Sequence, residues 1–148
     1  MQKEIMLQQL AQSKMDCARI LHNINAENAS FRLSEKTASA GFIYRHIGES
    51  IHLLAQFFGH QTDVEGLTMR KSDTGTAYDL NTSNEFFQRG YTTLERIVHE
   101  TSESDWLEEI ESAWFGKISR IKLYSIILFH NAHHCGQIAS AIVKGTKF

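Results

Sequence analysis

An all-α fold is what this sequence predicts: a four-helix bundle with a long crossover connection between helices two and three, and a short extra helix before helix four. Three observations lead there. Four segments place apolar residues at the helical period, no segment sustains the alternation of a strand, and no proline interrupts the 148 residues. The length suits one domain, 1–148, with a sizeable core.

The first helix is expected over roughly Lys3 to Ile24, where Met6, Leu10, Cys17, Leu21 and Ile24 fall near one stripe. The second is expected from about Ser34 to Phe58, with Phe42, Ile43, His46, Ser50, Leu53 and Phe57 on its apolar side and Gly59 to stop it. The stretch Thr82-Ser83-Asn84-Glu85 has the pattern of a capping box and opens the third, whose apolar face is Phe87, Tyr91, Leu94 and Val98. Ser119 is the expected N-cap of the fourth, which runs to Lys144 and ends at Gly145. Nothing reads as a strand. Residues 60–81 form a connection long enough to travel the length of a bundle. Between Ser102 and Ile118, the run Ser102-Glu103-Ser104-Asp105 looks like the start of the short extra helix.

Bulk properties exclude more than they assign. A formal charge of −2 offers no basic face for a nucleic acid. No apolar run approaches membrane-spanning length, and the N-terminal residues lack the apolar segment of a signal peptide, so a cytoplasmic protein is expected. Cys17 and Cys135 form no CxxC and are expected to be free thiols. Cys17 reads as a small core residue.

The chemistry-bearing feature is His130-Asn131-Ala132-His133-His134-Cys135-Gly136-Gln137, inside the fourth helix. His130 and His134 are one turn apart on one face and can offer two nitrogens to one transition metal. Of the other histidines, projection at about 100° per residue places His46 in the middle of the second helix's apolar stripe. His52 lies about 120° away from that stripe and is expected in solvent. His22 and His99 sit near helix C-termini and His60 in a loop. His46 is therefore the natural third ligand, and three neutral imidazoles would leave an open coordination position, as catalytic sites do. The spacing alone leaves the other reading open, in which these are core histidines with satisfied hydrogen bonds.

His133 is about 100° from His134 and cannot easily share an ion with both its neighbours; it either faces solvent, shapes the pocket or donates a hydrogen bond to a ligand. Glu49, three positions after His46, could orient an imidazole, but reads first as a solvated helix carboxylate. Gln137 is the remaining candidate for the pocket. Cys135 lies off the His130/His134 face and is rejected as a ligand.

The motif His130-xxx-His134-x-Gly136-Gln137, with His46 in Arg45-His46-Ile47 on the second helix, resembles the DinB-like superfamily of metalloenzymes. The resemblance extends over nearly the whole chain through helix order and the long second connection. One departure is Cys135, where that family often carries Arg. It implies a four-helix bundle in which the three histidines bind one divalent metal, commonly nickel or zinc.

Characterised members include low-molecular-weight thiol S-transferases and a thiol-dependent isomerase. The expected function is therefore a metal-dependent enzyme, an S-transferase using a small thiol cosubstrate or a metal-assisted hydrolase. Its reactive group would be metal-bound water or thiol rather than a side chain, and its substrate a small molecule. The alternative is a non-catalytic metal-binding or regulatory protein. Such proteins often pair as homodimers, for which Phe86 and Trp114 are the aromatic residues offered.

Overall fold

The computed structural model describes residues 2–148. It contains α1 (Gln2–Leu21), α2 (Ala40–Ala55), α3 (Leu80–Glu100) and α4 (Arg120–Lys144), with a 3-10 turn at Gln56–Phe58 and another at Asp105–Leu107. Two short strands, β1 (Glu109–Ser112) and β2 (Gly116–Ser119), pair antiparallel with Ile110 opposite Ile118. The molecule is thus mostly helical, but the all-α expectation is corrected by this hairpin. The extra helix shrinks to the single turn Asp105–Leu107, whose Trp106 is fully buried edge-on to Tyr124. Four residues per strand are too few for alternation to stand out. The turn is instead held by Ser112 Oγ, which accepts from the backbone N–H of Trp114 and Phe115 at 3.2 Å each.

Helix boundaries moved for local reasons. α2 starts six residues later than expected because Ser34 and Thr37 close a turn on each other, Ser34 N–H to Thr37 Oγ1 and Thr37 Oγ1 to Ser34 O, both at 3.0 Å. Ser39 then caps the helix by accepting from Phe42 N. α3 starts earlier than the Thr82 box, because Asp79 takes the capping role and accepts from Thr82 N and Thr82 Oγ1 at 2.7 Å each. Gly59 has φ 93°, the left-handed geometry expected of a stop. Gly145 stops α4 differently, in extended backbone that continues into a bridge between Thr146 and Arg32. A Cβ at 145 would stand 2.3 Å from Ala141 O.

Contacts along the helices give their directions. Tyr44 meets Asn84, Gly48 meets Phe86 and Ile51 meets Gly90, so α2 and α3 run parallel. The chain must therefore return the length of α2 between them. It does so over 59–79, with Gly66 against Leu53, Thr68 on Glu49 and Asp73 on Ser39 N in that order. α1 lies along α4 in the same direction, from Tyr124 Oη on Met6 O to the contact between Cys17 and Cys135.

α2 is buried on every side, with only His46 and Leu53 of its 16 residues outside the buried class. The expectation that His52 is solvated is accordingly wrong. It is 4% exposed and bonds through Nε2 to Phe86 O at 3.0 Å. A projection that assumes one wet face fails on a helix that has none. The aromatic residues offered for dimer contact are half-buried inside the chain: Phe86 lies under the Arg45 guanidinium, and Trp114 packs edge-on to Phe57. Among the described residues, no helix is long and apolar enough to cross a membrane.

Candidate metal centre

α2 and α4 pack side by side, and their contact brings together His46, His130 and His134. One ligand atom from each lies within 4.8 Å of the others. His130 Nε2 is 3.2 Å from His46 Nε2 and 3.1 Å from His134 Nε2. The outer nitrogens decide the protonation of this cluster. His134 Nδ1 is 2.7 Å from Gln137 Oε1, an amide oxygen that only accepts, so Nδ1 carries the proton. His46 Nδ1 is 3.2 Å from Thr68 Oγ1, whose own proton is given to Glu49 Oε2 at 2.6 Å. His130 Nδ1 is 3.4 Å from Ser50 Oγ, whose proton goes to Ile47 O at 3.0 Å. These two hydroxyls are thus acceptors toward the rings. This hydrogen-bond network assigns each imidazole as the Nδ1–H tautomer with a lone pair on Nε2.

Electrostatics hold the rings neutral. Burial, then the neighbouring His134, pushes His46 down to about 4, partly offset by a hydrogen bond to the Thr68 backbone. Burial, then His134 and His46, pushes His130 down to about 3. Burial also lowers His134, against the hydrogen bond to Gln137. Three uncharged nitrogens thus face one another, at 3.2 Å between His130 and His46 and 3.1 Å between His130 and His134, with no proton to share between them. Tetrahedral metal–nitrogen bonds of about 2.0–2.1 Å would set neighbouring ligand nitrogens roughly 3.3 Å apart. The donor set therefore fits a divalent transition ion, and the three histidines could hold one.

The remaining candidates separate clearly. Glu49 is not a solvated carboxylate: it is wholly buried, and Oε2 accepts from both Thr68 N at 2.8 Å and Thr68 Oγ1. It reaches His46 only through Thr68. His133 is exposed and stacks on Phe129, with its ring centre 5.1 Å from that of His134. Cys135 is buried against Cys17, away from the cluster, and both thiols are free. His22 and His99 are exposed near the ends of α1 and α3, and His60 sits in the connection beside Glu100. Sequence reasoning missed Thr68, which carries no signal in an aperiodic connection. Ser50 was visible on the stripe of α2, but not as an acceptor for His130.

No curated protein matches the chain. Among solved structures, a DinB-like protein from Bacillus cereus ATCC 10987 is similar at 15% identity over 97% of this chain and 93% of that one, with a TM-score of 0.76. A DinB-like protein from Bacillus subtilis is similar at 17% identity over 93% of this chain and 89% of that one, with a TM-score of 0.66. At these identities the likeness shows the fold. The sequence profile of the DinB superfamily matches residues 9–138, a span that contains all three clustered histidines, and on that match the chain belongs to the DinB superfamily.

Proposed function

We propose that this protein is a divalent-metal-dependent enzyme whose ion is held by His46, His130 and His134, and that it acts as a low-molecular-weight thiol S-transferase or a related metal-assisted hydrolase. One observation carries the reading: three Nε2 lone pairs converge with every Nδ1 proton committed outward. Such an arrangement is repulsive in itself and is relieved by a Lewis acid. Neutral imidazoles suit zinc or nickel. When bound, an ion of this kind supplies Lewis acidity toward an oxygen or sulfur nucleophile at neutral pH.

The chain's own residues then hold and orient. Thr68, Ser50 and Gln137 fix the rings. Beside Gln137 a small cleft of about 60 Å³ between Leu33, Ile43 and Ala141 gives an apolar seat for part of a small substrate. The histidine cluster contains no carboxylate that could serve as a base, since Glu49 is turned to Thr68. This favours a reaction whose nucleophile, a small thiol cosubstrate or water, would be activated by the ion rather than by a side-chain base. The same reading expects a cytoplasmic homodimer that binds neither nucleic acid nor membrane.

The test is metal analysis of tag-free protein, followed by turnover of an electrophilic acceptor with a small thiol, with and without chelator. Chelator-sensitive turnover that returns with added metal is expected. Stoichiometric metal with no turnover across thiols and acceptors would move the assignment to a non-catalytic metal-binding protein.

A further inference from the structure

We infer that Thr68, backed by the buried carboxylate of Glu49, is a positioning residue of the metal centre, setting His46 apart from the other two ligands. This deepens the metal-centre reading, and its affinity measurements rest on that reading.

Glu49 is 0% exposed and Thr68 is 1% exposed, so the pair is sealed from water. One carboxylate oxygen accepts both donors of a single residue, Thr68 N at 2.8 Å and Thr68 Oγ1 at 2.6 Å. Those two bonds fix the backbone and the rotamer of Thr68 at once. With its proton pinned on the carboxylate, the hydroxyl turns its lone pairs to His46 Nδ1 at 3.2 Å. A negative charge behind an accepting hydroxyl strengthens the bond it accepts, the more so in a site of low dielectric. The ring's Nε2 becomes correspondingly electron-rich.

The other two ligands have no buried carboxylate behind their acceptors, although His134 meets Gln137 Oε1 at 2.7 Å. Ser50 is long at 3.4 Å and Gln137 is exposed. Among the described residues Glu49 makes no other hydrogen bond, and its Oε1 is buried without a partner. Burying a carboxylate so incompletely satisfied is costly, and an apolar residue at position 49 would pack α2 without that cost. The arrangement is accounted for if the charge acts on His46. It also makes the 59–79 connection part of the centre, although none of its residues would touch an ion.

The experiment uses full-length Thr68→Val, Thr68→Ser and Glu49→Gln. Zn²⁺ affinity is measured by chelator competition, and the His46 tautomer in metal-free protein by nitrogen-15 NMR. Thr68→Val is expected to weaken Zn²⁺ binding about 10–100-fold and to release His46 into a mixture of tautomers. Glu49→Gln should lose roughly tenfold, while Thr68→Ser stays within about threefold of wild type. Wild-type affinity and an unchanged tautomer in Thr68→Val would overturn the inference, because the Thr68 backbone would then suffice. Equal affinity in Glu49→Gln and wild type would overturn it as well, since the charge would be idle. If Thr68→Val does not fold, Thr68→Ser and Glu49→Gln decide. A wild type that binds no Zn²⁺ defeats the metal reading, while the tautomer of His46 in the same variants still decides the role of Thr68.

Discussion

Nε2 of His46 on α2 lies 3.2 Å from Nε2 of His130 on α4, and the hydrogen bonds on the far side of both rings leave neither nitrogen a proton to offer the other. Two lone pairs held that close by the packing of two helices are the clearest sign of a ligand set in the chain. His134 completes it from one turn further along α4.

About one divalent transition metal per chain is therefore expected, and His46→Ala, His130→Ala and His134→Ala should each reduce it sharply. His22→Ala should bind as wild type. His52→Ala is a stricter control than the sequence suggested, because His52 is buried and bonded to Phe86 O. It should lower stability by about 1–3 kcal/mol through the lost hydrogen bond and the space left by the buried ring, yet leave metal content at the wild-type level. Metal analysis beside thermal melts checks both. Equal metal in wild type and the three ligand variants would remove the site.

The depressed histidines fix a pH dependence of the metal-free protein. In the unfolded chain a histidine titrates near about 6.5. In the folded chain His46 is held at about 4 and His130 at about 3, so between these values and 6.5 the unfolded state binds more protons. Their contribution is fully present above the unfolded value and is lost as pH falls from about 6.5 toward 4, at up to about 1.4 kcal/mol per pH unit for each ring. In denaturant melts, the stability difference between metal-free wild type and His130→Gln should be constant above about pH 7 and should shift steadily against the wild type as pH falls below about 6.5. Parallel curves across that window would show that the rings are not buried neutral.

How far the sequence could be read follows from the kind of signal each part leaves. His130 and His134 were legible because a helix converts a spacing of four into a shared face, and His46 because it interrupts an apolar stripe. Glu49 and His52 were misplaced for one reason: a central helix buries every face, and its polar residues look no different in sequence from solvated ones. Their partners, Thr68 and Phe86 O, come from segments 19 and 34 residues away. The hairpin Glu109–Ser119 was hidden because a serine turn, not alternation, defines it. The crossover was visible as a long aperiodic stretch, but its work on the site was not.

Two glycines with opposite surroundings test the packing that brings α2 to its neighbours. A Cβ at Gly48 would stand 2.7 Å from Phe86 Cβ, so α2 and α3 must separate to admit it. Gly48→Ala should cost about 1–3 kcal/mol. A Cβ at Gly136, in the middle of α4, would meet nothing within 4 Å. Gly136→Ala should raise stability by about 0.5–1 kcal/mol and leave metal content unchanged, although the position lies between His134 and Gln137. Melting temperatures of the two variants should move in opposite directions. A fall for both would mean that the outer face of α4 is covered.

The last prediction separates a metal-centred reaction from a cysteine-centred one. Cys135 adjoins His134 in sequence, and a thiol beside a histidine invites the role of nucleophile. Here it is 2% exposed and turned to Cys17, and the hydrogen bond between them together with burial raises its pKa far from the thiolate range. A thiol whose ionisation is disfavoured and that is closed off from solvent is poorly placed to attack a substrate. Cys135→Ala should therefore keep most of any thiol-dependent turnover and all of the metal, at a stability cost of about 1 kcal/mol for the lost sulfur. In the wild type, turnover should require both the metal and a small thiol, and should rise through a single ionisation as pH increases. Loss of turnover in Cys135→Ala with metal retained would make this cysteine the nucleophile, and would require α1 to move off α4 to expose it.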